Sequence, residues 1–315
     1  MQLPDELKLA IEQLCSSLGT SELQKAREIV SSQYRAGKSS VELFRNPAQL
    51  CSYLVTRVPA TFAACRAVFN QLSISPRSIL DLGAGPGTAS WAARDVFPEI
   101  DQFFLIERER AAIEIGQQMA KNTSLEKASW TQADLRNELK LPFVDLGVLS
   151  YVVAESGVNA VPWSQLFSAC AILVVIEPGT PAGYQRILQV RDLLIQLGGH
   201  VLAPCPHSHK CPMVGDDWCH FGARVERTRL HRLLKEGSLG FEDEKYSYVV
   251  MGKEPQLMKD RVIDPPEMGH GNVKLRLCTQ SGKLEQKVLT KKHREEYRRA
   301  KKLSWGDSYS DTLAE

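Results

Sequence analysis

A chain of 315 residues, 43% hydrophobic and 24% charged, has material for a sizeable core, and those values exclude wholesale disorder and collagen-like structure. Eight Cys are too dilute for a disulfide scaffold and fit a thiol-preserving compartment, and no stretch reaches ~18 uninterrupted apolar residues, so no membrane span is expected. The net charge of +2 hides an asymmetry: residues 1–200 carry 18 Lys and Arg against 20 Asp and Glu, residues 201–302 carry 21 against 14, and the last 13 residues add three acids.

Leu3, Leu7, Ile11, Leu14 and Leu18 recur at helical spacing among Asp5, Glu6 and Glu12, the pattern of an amphipathic helix rather than of a secretory or transit signal. Residues 1–75 read as helical throughout, punctuated by Asn46-Pro47 and Pro59. From Pro76 onward, short apolar runs alternate with helical stretches. Ser78-Ile-Leu-Asp-Leu82, Phe103-Phe-Leu-Ile106, Ala128-Ser-Trp-Thr131, Val144-Asp-Leu-Gly-Val-Leu149 and Ala171-Ile-Leu-Val-Val-Ile176 predict strands, and 108–120 a helix. Continuous apolar strands between helices predict a doubly wound α/β domain with a parallel sheet. Residues 204–222, rich in Pro, His, Cys and Gly, predict irregular structure; 245–251 and 273–278 predict short strands, and 283–302 a basic helical tail. The expected organisation is a helical region over 1–75, a cofactor-binding α/β domain over 76–200, a cysteine-rich module over 201–282 and a basic tail over 283–315.

Asp81-Leu-Gly-Ala-Gly-Pro-Gly-Thr88 follows a strand and opens a helix. Gly83, Gly85 and Gly87 permit close backbone approach to a ligand, and Asp81 suits a cationic amine better than a pyrophosphate. The loop lacks the Lys of a phosphate-binding loop, and its third glycine comes one residue early for a dinucleotide site, which disfavours NAD. It resembles the first motif of the class I methyltransferases, D/E-x-G-x-G-x-G, a resemblance that implies S-adenosylmethionine as cofactor. The same resemblance gives Glu107, at the end of the second strand, to the ribose hydroxyls, and Asp134, after the third, to the adenine. The competing reading makes Asp81 a helix cap and the other two ordinary loop acids. No catalytic residue is nominated: Leu149-Ser-Tyr-Val-Val-Ala-Glu155 stands where amine-methylating enzymes carry [DN]-P-P-[FYW], and Tyr151 and Glu155 there have either chemical or structural uses.

Cys205, Cys211 and Cys219 fall within 15 residues, with Cys278 further on; Cys15, Cys51, Cys65 and Cys170 lie in apolar or helical patterns and are expected to pack. Spacing alone leaves an iron–sulfur cluster, zinc (with His207, His209 or His220 substituting) and no metal all open.

Cys205-Pro-His-Ser-His-Lys-Cys-Pro212, Trp218-Cys-His-Phe221, Phe241-Glu-Asp-Glu-Lys-Tyr-Ser-Tyr248, Tyr53-Leu-Val-Thr-Arg-Val-Pro-Ala-Thr-Phe62 and Ala300-Lys-Lys-Leu-Ser-Trp-Gly-Asp307 span nearly the whole chain. Together they are similar to the mitochondrial small-ribosomal-subunit methyltransferase-like family (Rsm type, number twenty-two) and its bacterial relatives. The resemblance implies a 4Fe-4S cluster on Cys205, Cys211, Cys219 and Cys278, with zinc as the alternative. It also implies a small ribosomal subunit partner, including its rRNA, and a protein monomeric off the ribosome. The expected location is the cytoplasm in a bacterium, or the mitochondrial matrix for a processed organellar homologue.

Nine basic residues lie between Lys283 and Lys302, opposed by Glu285, Glu295 and Glu296. Lys291, Lys292, Arg298 and Arg299 are the expected phosphate contacts, with Tyr297 and Trp305 available to stack on a base and Arg224, Arg227, Arg229, His231 and Arg232 as a second basic cluster. The expectation is therefore an S-adenosylmethionine-binding protein of the small subunit, an rRNA methyltransferase and assembly factor. The alternative is a non-catalytic factor with a vestigial or regulatory methyltransferase domain. A small-molecule methyltransferase is a third reading, disfavoured by the basic tail.

Overall fold

In the computed structural model, residues 1–35, 46–235 and 238–310 are described. The chain forms two compact units, neither contiguous: Met1–Glu177 with Ala223–Glu244, and Pro178–Gly222 with Lys245–Glu315.

The first unit begins with helices α1 (Asp5–Cys15), α2 (Thr20–Arg35), α3 (Pro47–Thr56) and α4 (Val58–Phe69). The amphipathic reading holds, since Leu7, Ile11 and Cys15 form the buried face of α1. Asn46 caps α3, its Oδ1 accepting from the amides of Ala48 at 3.0 Å and Gln49 at 3.1 Å, and Pro59 is accommodated in the first turn of α4, where no amide donor is needed.

Alternation then brings β1 (Ser78–Leu82), α5 (Thr88–Val96), β2 (Gln102–Glu107), α6 (Arg110–Ala120), β3 (Ser129–Gln132) and β4 (Val144–Ser150). Short helices α7 (Val153–Ser156) and α8 (Trp163–Ser168) lead to β5 (Cys170–Pro178). These strands lie in the order β3-β2-β1-β4-β5, all parallel. Every residue of β1 is buried, as a central strand covered on both faces requires. The order reverses direction between β1 and β4, and a doubly wound sheet opens its ligand crevice at such a point, beyond the carboxyl ends of the strands. The four cysteines expected to pack are all buried here.

Beyond α9 (Pro181–Gln196) and β6 (His200–Ala203), the segment up to residue 220 carries no helix or strand, as its composition predicts. β7 (Phe221–Glu226), α10 (Arg229–Lys235) and β8 (Phe241–Gly252) follow. β8 starts earlier than the apolar residues alone predict. Its charged first half is accommodated by ion pairs within the first unit: Glu242 to Arg227 at 2.8 Å and Lys235 at 2.7 Å, and Asp243 to Arg224 at 2.9 Å. Its second half is continuously buried.

The second unit pairs β6 antiparallel with β8 and holds a smaller sheet of β9 (Asp260–Val262), β10 (Glu267–Met268), β11 (Asn272–Cys278), β12 (Leu284–Thr290) and β13 (Ser308–Tyr309), with α11 (Arg294–Ala300) beside it. The expected helical tail is corrected here: its first half is β12, paired antiparallel with β11 from Cys278↔Leu284 to Asn272↔Thr290. The turn over Thr279–Gly282 makes this hairpin, and the basic side chains masked the strand's alternation. Val262, Leu275, Leu277, Leu289 and Tyr309 form the core of the smaller sheet. Among the described residues, no helix is long and apolar enough to cross a membrane.

Candidate functional site

A cleft lies in the crevice beyond β1, β2 and β4. Gly83, Gly85, Glu107 and Asp134 line it, so the glycine loop and two of the three acids converge there. Gly83, Gly85 and Gly87 all have positive φ, 70°, 53° and 86°. At Gly85 the nearest atom to an added Cβ would be the Tyr53 hydroxyl at 4.0 Å, so this glycine is required by conformation and leaves room above the loop. Gly87 is the left-handed residue preceding α5.

Glu107 closes the loop from the neighbouring strand. Its Oε2 accepts from the Gly85 amide at 2.8 Å, and its Oε1 from the amides of Arg108 at 2.8 Å and Glu109 at 2.9 Å. Asp134 is gripped by Arg136, whose Nε donates to Oδ1 at 2.9 Å, and this charge-assisted bonding holds the carboxyl down at about 2. Asp81 is placed differently: it is fully buried and does not line the cleft. Its Oδ2 accepts from the amide (3.1 Å) and hydroxyl (2.8 Å) of Ser90 in the first turn of α5, while Oδ1 has no hydrogen-bond partner. Burial pushes this carboxyl up to about 7 against the effect of the Ser90 bonds.

The opposite wall of the cleft comes from residues without a role assigned by sequence. Tyr53, Arg57 and Thr61 line it from α3, α4 and the residue between them, with Tyr151, Glu155 and Ser156 following β4. Tyr151 has φ 61°, an unusual conformation for an aromatic residue, and its hydroxyl donates to Glu244 Oε1 at 3.1 Å. The same oxygen meets Arg57 at 3.3 Å. Burial and the Glu244 charge push the Tyr151 phenol well above its ordinary value. Arg57 and Glu244 belong to segments that carry the family resemblance, which was the only sequence signal for them.

In the second unit Cys205, Cys211, Cys219 and Cys278 all line one cavity, whose walls include Ile187, Leu188, Phe221 and Val249. Tyr184 Oη stands 3.3 Å from Cys211 Sγ, and His207 Nε2 stands 3.4 Å from Cys278 Sγ. The irregular loop is held through its carbonyls: Ser247 Oγ donates to Cys219 O at 2.8 Å, and Trp218 Nε1 donates to Gly179 O at 3.1 Å. Loss of solvent and the neighbouring thiols push the Cys205 and Cys219 thiols up. Among the described residues no group of three or more His, Cys, Asp or Glu is close enough together to hold a single metal ion. The four thiols share a cavity rather than one ion-sized point.

Lys291, Lys292 and Arg298 are exposed, while Arg299 is half-buried. The stacking expectation for the aromatic residues is corrected. Tyr297 packs on the core of the smaller sheet, and Trp305 donates to Ile263 O at 2.8 Å with His220 against its ring at 4.9 Å. The second basic cluster is corrected as well: Arg224 and Arg227 are bound to Asp243 and Glu242, and His231 is buried against Glu242 at 3.3 Å. Arg229 and Arg232 remain exposed.

A parallel β3-β2-β1-β4-β5 sheet with a glycine loop after β1 and an acid closing that loop from β2 defines the class I methyltransferase fold, a Rossmann-like α/β architecture. Within that class, the chain belongs to the family described as mitochondrial small ribosomal subunit Rsm22, whose family model matches residues 47–310. It is similar to the human mitochondrial ribosome assembly protein METTL17, 24% identical over 287 residues covering 81% of this chain and 61% of that protein. It is also similar to the mitochondrial Rsm22-cox11 tandem protein 2 of Schizosaccharomyces pombe, 23% identical over 83% of this chain and 43% of that protein. The chain thus spans less than two thirds of those relatives' length. Among solved structures, the pyocyanin biosynthetic protein PhzM matches with a TM-score of 0.43 at 16% identity, over 70% of this chain and 64% of that one. The plantazolicin methyltransferase BpumL, in complex with a substrate analogue and SAH, matches with a TM-score of 0.43 at 11% identity, over 75% and 98%.

Proposed function

We propose that this protein binds S-adenosylmethionine in the first unit and acts on the small ribosomal subunit as an rRNA methyltransferase and assembly factor, stabilised by a 4Fe-4S cluster in the second unit. The observation that carries the cofactor reading is the convergence of Gly83, Gly85, Glu107 and Asp134 on one cleft, with open space above the Gly85 backbone. Glu107 is assigned to the ribose hydroxyls and Asp134 to the adenine; both carboxylates accept hydrogen bonds. Asp81, buried away from the cleft lining, is assigned to holding the junction of the loop and α5 through Ser90. When bound, the cofactor supplies an electrophilic methyl group.

The four-cysteine cavity fits a cluster by the chemistry of its donors: soft thiolates gathered from a loop and the end of β11. The family supports the small ribosomal subunit as partner; the protein is assigned to the mitochondrial matrix if organellar or the cytoplasm if bacterial, and to a monomer when free. Lys291, Lys292, Arg298 and Arg299 are assigned to rRNA phosphates.

One observation favours the non-catalytic alternative. Tyr151 and Arg57 are both engaged by Glu244 where a methyl acceptor would enter, and no [DN]-P-P-[FYW] element follows β4. Transfer of labelled methyl to purified small subunits, with Gly85→Arg as control, separates the readings. Transfer that disappears in the control supports the enzyme; subunit binding by wild type without transfer supports the factor.

A further inference from the structure

Two arginines are buried at the cysteine cavity. Arg191, on α9, and Arg261, on β9, are each only 2% exposed and line the same cavity as the four thiols. Burying a guanidinium without compensating charge costs several kcal/mol. Arg191 has an acidic neighbour in Asp192, at 2.9 Å from Nη1, but that carboxylate is 60% exposed and its field is screened by solvent.

Both arginines also donate to the loop that carries the cysteines. Arg191 Nη2 donates to the carbonyls of His207 at 3.2 Å and His209 at 2.5 Å, both between Cys205 and Cys211. Arg261 Nε donates to the carbonyl of Pro204 at 3.0 Å, immediately before Cys205, and its Nη1 to Gly306 O at 2.8 Å. Nε of Arg191 is buried with no acceptor.

We infer that Arg191 is a built-in counter-charge of the four-cysteine site, offsetting the anionic cluster and, with Arg261, fixing the loop that presents Cys205 and Cys211. This rests on the cluster reading above. Four thiolates around a 4Fe-4S core carry about two net negative charges, and the buried guanidinium of Arg191 offsets part of them. The unpartnered Nε–H of Arg191 is a donor available to a thiolate or sulfide, and hydrogen bonds to sulfur, like local charge, raise a cluster's reduction potential. Arg191 is a positioning residue and need not touch iron.

The test compares full-length wild type, Arg191→Lys and Arg191→Gln, purified anaerobically and reconstituted with iron and sulfide, by iron content and by redox titration followed by electron paramagnetic resonance. The expected result is a reduction potential near wild type in Arg191→Lys and shifted to more negative values in Arg191→Gln, because only the latter removes the charge that favours the reduced cluster. Equal potentials in wild type and Arg191→Gln, or an equal fall in both variants, overturn the counter-charge assignment. Should Arg191→Gln fail to retain iron, cluster half-life in air decides: Arg191→Lys holding its cluster as wild type does supports the assignment, and Arg191→Lys losing it as fast as Arg191→Gln overturns it. Wild-type protein that takes up no iron overturns the cluster reading itself, an outcome distinct from all of these.

Discussion

Asp81 sets burial against hydrogen bonding within one carboxyl group. Its two bonds from Ser90 favour the anion, yet the absence of solvent wins and lifts the group from the ordinary 3.8 to about 7. A carboxyl raised on folding stabilises the fold below its ordinary value, and that contribution is lost as pH rises through about 7. Asp81→Asn keeps an acceptor for Ser90 and carries no charge. Its melting temperature should therefore gain on wild type by on the order of 5 °C between pH 5 and pH 8, measured without ligand. A gap that is constant with pH would place the charged form of Asp81 at no disadvantage. The sequence identified Asp81 and its loop but not its burial, because an acid within an apolar strand reads the same whether it meets ligand or a helix N-terminus.

Among the elements, α6 and β3 show how closely the sheet and its covering helices interlock. A Cβ added at Gly116 on α6 would stand 2.2 Å from the Trp130 ring on β3, an overlap that neither rigid element absorbs cheaply. Gly116→Ala should cost about 1–3 kcal/mol in denaturant unfolding, whereas an unchanged midpoint would mean that Trp130 can move aside. The five parallel strands were legible because continuous apolar runs between helices leave few alternatives. β12 and the first half of β8 were not, since their charged residues find partners only in the folded state. Glu242 reads as a loop acid until Arg227, Lys235 and His231 are gathered around it. The same limit hid Arg57 and Glu244 at the cleft and Arg191 and Arg261 at the cysteines. Their positions depend on contacts far apart in sequence, which no local pattern reports.

Over the whole molecule, the near-neutral net charge resolves into a slightly acidic N-terminal stretch of 200 residues and a basic stretch from 201 to 302. Part of that basic charge is spent internally, on Glu242 and Asp243 in the first unit and, through Arg276, on Asp264 in the second. What remains exposed near α11 includes Lys291, Lys292 and Arg298. Reversing these three to Glu, and leaving half-buried Arg299 intact, should weaken binding to small-subunit RNA by about tenfold or more at low salt. The difference should shrink as salt rises; an equal loss at every salt concentration would point to misfolding rather than lost phosphate contacts. The central claim is cofactor binding in the cleft closed by Glu107, and calorimetric titration with S-adenosylmethionine tests it most directly. Wild type should bind one molecule per chain, and Glu107→Ala should bind about tenfold more weakly or worse, a loss of about 1.4 kcal/mol. Wild type giving no saturable heat, or Glu107→Ala binding as tightly as wild type, would contradict it.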